Sequence, residues 1–143
     1  MIMEASNENS VIIRPATQED IPLLPAIEKS ASKLFNSIPA LSFIASDPPL
    51  STGELQLFLS SNYLWVATCH DSSFNTRPVA FLAARPICTH HDDEFSRHKE
   101  AKHLYIAECS VHSSYQRRGI AKLLLKTVEN DSRKRGFLSE LRI

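Results

Sequence analysis

Apolar positions along the chain change period several times, and those changes set out its elements. Val11-Ile12-Ile13-Arg14-Pro15 is a β-branched run closed by proline, which predicts a short strand. Thr17-Gln18-Glu19-Asp20 has capping-box spacing. Beyond it Ile21, Leu24, Ile27, Ala31, Leu34 and Phe35 recur at three- and four-residue steps, which predicts a helix with one apolar face. Pro22 and Pro25 blur where that helix starts. Prolines 39, 48 and 49 break the pattern, so 36–52 reads as loop with one short helix at most. Ser51 or Thr52 can cap a second helix carrying Leu55, Phe58 and Leu59. The runs Tyr63 to Cys69 and Pro78 to Ala84, joined by the polar stretch His70 to Arg77, predict an antiparallel hairpin. Thr89 to Lys102 is charged and reads as an exposed loop before a third core strand, His103 to Val111. After a turn, Ile120, Leu123, Leu124, Thr127 and Val128 line one side of a helix whose end is signalled by Lys134-Arg135-Gly136. Phe137 to Ile143 begins another strand. Strand, helix, helix, three strands, helix, strand is the order of an α+β domain with helices packed on a sheet.

Composition narrows the partners. The 143 residues fit one domain, 1–143, with the polar start 1–10 expected to be disordered. Lys plus Arg number 16 and so do Asp plus Glu, leaving no net field to draw nucleic acid or an anionic membrane surface. No apolar run suits a signal peptide or a membrane span, so a soluble protein of the cytoplasm is expected. Cys69, Cys88 and Cys109 are odd in number and scattered, two of them in apolar strand-like runs, and are read as small hydrophobes rather than as a disulfide or a nucleophile.

One segment carries chemistry. Gln116-Arg117-Arg118-Gly119-Ile120-Ala121 lies between an apolar strand and an amphipathic helix. Amides at a helix start have no partner inside the helix, and the helix dipole adds positive potential there, so this turn suits a pyrophosphate. Gly119 leaves room for the ligand to approach the backbone, Ala121 is the next smallest choice, and Arg117, Arg118 and Lys122 add cations. The same residues also suit a tight turn with a solvated cap; the flanking strand and helix favour the phosphate reading.

From Leu104-Tyr105-Ile106-Ala107-Glu108-Cys109-Ser110-Val111 through Gln116-Arg117-Arg118-Gly119-Ile120-Ala121-Lys122, the chain resembles the GNAT superfamily of acyl-CoA-dependent N-acyltransferases. Ile13-Arg14-Pro15 with Glu19-Asp20-Ile21 resembles that family's first strand and helix, and the likeness is strongest over 104–136. The resemblance implies an α/β-sandwich-like fold with a mixed, mainly antiparallel sheet, helices on both faces, and a C-terminal part shorter than usual. It implies acetyl-CoA as cosubstrate, held by the backbone of Cys109, Ser110 and Val111 along its pantetheine arm and by Gln116, Arg117, Arg118, Gly119, Ile120, Ala121 and Lys122 at its pyrophosphate. It also implies acetyl transfer to a small amine or peptide amine in a ternary complex, with no covalent enzyme intermediate. In the family a tyrosine that would follow Ile143 often acts as general acid. A chain ending at 143 is therefore expected to bind cofactor but transfer little, and its open sheet edge invites a homodimer.

Glu108 is the candidate catalytic base, because a carboxylate in an otherwise apolar strand should face a polar cavity. It reads equally well as an ion-pair partner of a loop lysine or Arg85. Tyr105 and Ser110 are weaker candidates, better read as packing. His90-His91-Asp92-Asp93 lacks the fixed ligand spacing of a zinc site, so no metal is expected. The alternative to an enzyme is a non-catalytic CoA-binding or interaction module built on the same turn.

Overall fold

Among the described residues four strands lie in the sheet in the order in which the chain makes them: β1 (Val11–Pro15), β2 (Leu64–Cys69), β3 (Pro78–Thr89) and β4 (Ala101–Val111), each antiparallel to the next. The computed structural model describes residues 11–33, 49–69, 77–89 and 101–137. The expectations for 1–10, for Leu34 and Phe35 on the first helix, for the loop from 36 as far as 48, for the turn 70–76, for the histidines at 90, 91 and 98 and for a strand from 138 lie outside the described residues. No helix among the described residues is long and apolar enough to cross a membrane.

The first helical stretch is divided. Asp20 closes the box at Thr17, accepting from its backbone N–H at 2.8 Å, but a 3-10 segment (Gln18–Leu23) precedes the true helix α1 (Leu24–Ser32). Pro22 and Pro25 are the cause. Neither ring can donate a helical hydrogen bond, so the regular α-helix begins only where a proline at its first turn costs nothing. In α2 (Thr52–Ser60), Ser51 caps as expected, its hydroxyl accepting from Glu54 N–H while the Glu54 carboxylate reaches back to Ser51 N–H. The last helix, α3 (Ile120–Lys134), ends at Gly136 with φ 89°, where Phe137 N–H donates to Ser132 C=O and Gly136 N–H to Arg133 C=O.

Two half-cores form on the two faces of the sheet. Trp65, Ala67, Leu82, Leu104 and Ile106 pack with Ile120, Leu124 and Val128 of α3. Leu64, Val66, Phe81 and Ala83 pack with Ile21, Leu24, Ile27 and Leu55 on the other side. Every residue of β2 is buried, and a fully buried Val or Leu contributes about 1.5–3 kcal/mol, so this central strand anchors both layers. On α3, Leu123 departs from expectation: it is 39% exposed, and Ser132 takes a buried position instead.

Strand β3 also runs further than its apolar pattern suggests, through Arg85-Pro86-Ile87-Cys88-Thr89, paired with Ala101 to Tyr105. Pro86 is tolerated there because β2 reaches only as far as Leu64↔Ala83, so no strand on that side asks for its missing N–H.

Candidate functional site

A kink in β4 aims the site. Along β3, Ala84 faces Ile106 and Ala83 faces Glu108, so Ala107 is an extra residue on β4, a β-bulge. Without it, Glu108 would follow Leu104 and Ile106 into the α3 half-core. With it the alternation shifts by one. Cys109 and Val111 now pack toward α3, whereas Glu108 and Ser110 fall opposite Ala83 and Phe81, on the α1 side. Among the described strands only β3 pairs with β4, so the outer edge of β4 presents unpaired backbone groups beside these side chains.

Beyond Val111 a 3-10 turn (Ser113–Tyr115) and two left-handed residues carry the chain into α3. Arg117 has φ 66° and Gly119 φ 76°. The first bond of α3 runs from Leu123 N–H to Gly119 C=O, so the amides of Ile120, Ala121 and Lys122 have no partner inside the helix, and Gly119 has no side chain to cap them. A β-carbon built on Gly119 would meet nothing within 4 Å; the space over this helix start is open. Gln116 spends its side chain on the turn itself, its Nε2 donating to Val111 C=O at 3.0 Å.

Strand end, turn and helix start form one wall of a cleft of about 730 Å³, and α1 forms the facing one. Glu108, Cys109, Ser110, Val111, Gln116, Arg117, Gly119, Ile120, Ala121 and Lys122, all singled out from sequence, line it together. Arg118 does not. Its guanidinium lies 5.0 Å above the Tyr115 ring, because the left-handed turn at Arg117 sends the two consecutive side chains in different directions. Glu108 is not paired with Arg85, which sits over the Tyr105 ring at 5.1 Å; its Oε2 accepts from the buried Ser110 hydroxyl. Burial, reinforced by the charge on Glu108, pushes the Cys109 thiol up to about 11, so it stays protonated and poorly nucleophilic.

The facing wall was not legible in the sequence. Glu28, Lys29, Ala31 and Ser32 line the cleft from α1. Ser30 between them is buried, and its hydroxyl meets Ser113 Oγ at 2.8 Å and accepts from Ser113 N–H at 3.0 Å, joining the two walls. Glu28 accepts from Leu50 N–H at 2.9 Å. Burial pushes its carboxyl up; the Leu50 bond opposes this, and the charges on Glu108 and Glu54 add to the rise.

The model of the acetyltransferase (GNAT) family matches residues 33–143, and the chain belongs to that family. Solved structures share its fold at low identity. An acetyltransferase from Vibrio fischeri is 15% identical with a TM-score of 0.63, over 89% of this chain and 90% of that one. The NatC complex bound to Gag peptide and CoA is 17% identical with a TM-score of 0.60, over 87% and 68%. An aminoglycoside acetyltransferase from an uncultured soil metagenomic sample, in complex with sisomicin, is 20% identical with a TM-score of 0.56, over 92% and 75%.

Proposed function

We propose that the chain is an acetyl-CoA-dependent N-acetyltransferase that moves an acetyl group to a primary amine by direct attack in a ternary complex. The observation that carries this reading is a single cleft with two opposite chemistries. Part of its lining is the free amides of the α3 start with Arg117 and Lys122, suited to a pyrophosphate. Another part is the carboxylates Glu28 and Glu108, suited to an ammonium group. The open edge of β4 at Cys109 to Val111 runs between them, where a pantetheine arm can add like a strand. Family membership and a structural neighbour that binds CoA support the same donor. The free thiols of Cys69 and Cys109 suit a cytoplasmic protein.

In this reading the acceptor enters as an ammonium ion and gives one proton to the Glu108 carboxylate. The freed lone pair attacks the thioester carbonyl carbon. As the C–N bond forms and the C–S bond breaks, the second proton lost by nitrogen ends on the departing sulfur, so the products are an acetamide and CoA thiol. Positioned general-base catalysis of this kind supplies about 10²–10⁴-fold in rate.

Calorimetry with acetyl-CoA on the wild type and on Gly119→Val, with thiol release measured over polyamines, aminoglycosides and peptide N-termini, tests the proposal. The wild type should bind acetyl-CoA and release thiol with at least one amine. Gly119→Val should abolish binding, because a branched side chain would fill the open space at a left-handed position. Equal affinities would remove the pyrophosphate assignment, and absence of thiol release across the panel would remove the transfer reaction.

A further inference from the structure

Two carboxylates, Glu28 and Glu108, line the cleft near enough for the charge of one to act on the other, and no ion pair among the described residues neutralises either. Glu28 stands on α1, which packs against β3 and β4, and the bulge at Ala107 turns Glu108 toward the same side. The ion pairs among the described residues are Arg14–Asp20, Arg133–Glu129 and Arg135–Asp131, none of them here. Lys29 lines the cleft from the same helix but is exposed and pairs with neither carboxylate. One oxygen of Glu28 is fixed by the Leu50 amide, and the other has no hydrogen-bond partner among the described residues.

A reacting amine must lose its charge before it attacks a carbonyl carbon. The charge that brings it to Glu108 therefore disappears at the moment when position matters most. A charge that holds the acceptor through the chemical step has to sit on a different group, and its counter-ion has to be a carboxylate that takes no proton from the reacting nitrogen. Glu28 meets that requirement. It is anchored by a backbone amide, it lines the cleft with Glu108, and no ion pair among the described residues includes it.

We propose that Glu28 is a specificity-determining residue of this cleft: it binds a second ammonium group of the acceptor, so that the amine taken is a diamine or polyamine in preference to a monoamine. The inference rests on the acyl-transfer reading, in which Glu108 takes the proton of the reacting nitrogen. A monoamine of the same length would satisfy one carboxylate and leave the other uncompensated in the cleft wall.

Putrescine and n-butylamine, equal in carbon count and differing by one ammonium group, separate the cases. Each is titrated calorimetrically onto protein saturated with CoA, which cannot turn over, using the wild type, Glu28→Gln and Glu28→Asp. The wild type should bind putrescine about tenfold or more tighter than butylamine, the scale of one charged hydrogen bond. Glu28→Gln should erase that gap without changing CoA affinity, and Glu28→Asp should restore part of it. A gap that persists in Glu28→Gln, or no gap in the wild type with CoA bound, overturns the proposal while leaving acetyl transfer standing. If the wild type fails to bind CoA, the acyl-transfer reading falls, and the same titrations on the protein alone decide the rest. A Glu28-dependent gap there keeps the cation site, and its absence removes it. Should Glu28→Gln unfold by circular dichroism, the wild-type gap and Glu28→Asp decide.

Discussion

Glu108 owes its direction to Ala107, a residue with no chemistry of its own. One extra residue on β4 moves a carboxylate from a side where it would be buried among Leu104, Ile106 and Leu124 to a side where it lines a cleft. The Ser110 hydroxyl, turned to the same side, donates to Oε2 and restricts how the group can rotate; in the proposed reaction the other oxygen takes the acceptor proton. Glu108→Gln keeps the volume and the ability to accept that bond but removes the basicity. Turnover is expected to fall about 10²–10⁴-fold with acetyl-CoA affinity nearly intact. Steady-state rates, beside calorimetry, check both parts; an unchanged rate would return Glu108 to a structural role.

Elements position the site through contacts that cross long stretches of sequence. Ser30 of α1 and Ser113 of the turn are 83 residues apart, yet two hydrogen bonds join them, and the cleft is lined by Lys29 and Ala31 beside the one and by Val111 and Tyr115 near the other. Ser30→Ala removes both bonds, at a cost of about 0.5–1.5 kcal/mol in stability, because Ser113 is exposed and water can reach its N–H. If the pair also fixes cleft width, the KM for acetyl-CoA should rise while kcat changes little; a loss of melting temperature with unchanged KM would make it a structural tie only. This long-range tie shows why some of the fold was legible and some was not. The Thr17–Asp20 box, a cap at Ser51, the Gly136 stop of α3 and the Gly119 turn are written in neighbouring residues, and each formed as its sequence implied. Family resemblance extended that local reading to the sheet with helices on both faces. The bulge at Ala107 depends on which residue of β3 stands opposite, and the approach of Glu28 to the cleft depends on α1 packing against β4. Neither leaves a local pattern. Leu123 was misplaced for a related reason: helical periodicity defines an apolar stripe but not where the sheet beneath it ends.

At the scale of the whole molecule, the two half-cores are held to one sheet, and the N-terminal layer is fastened to its edge by a charged contact far from the cleft. Arg14 of β1 makes two parallel hydrogen bonds to Asp20, at 2.8 and 3.0 Å, while the same carboxylate accepts from Thr17 N–H and its hydroxyl. Asp20 is buried, and burial by itself would push its carboxyl up. Arg14 and Thr17 together more than offset that and hold it below the ordinary carboxylate value. A carboxyl whose folded value is depressed binds fewer protons in the native state than in the unfolded chain. Its contribution is therefore complete above the unfolded value of about 4 and is lost as pH falls through the lower, folded value. Asp20→Asn should consequently cost about 1–3 kcal/mol at neutral pH, discounted toward the lower end because the Arg14 side chain is 33% exposed and partly screened. The difference should shrink once the pH drops below about 4, where the wild type loses the same charge. Urea unfolding of both proteins from pH 7 down to the acid limit of the folded state measures this directly. Converging curves at low pH with separated curves at neutral pH would establish Arg14–Asp20 as the acid-sensitive fastening of the N-terminal layer, and curves that run parallel throughout would show that the pair adds nothing beyond its packing.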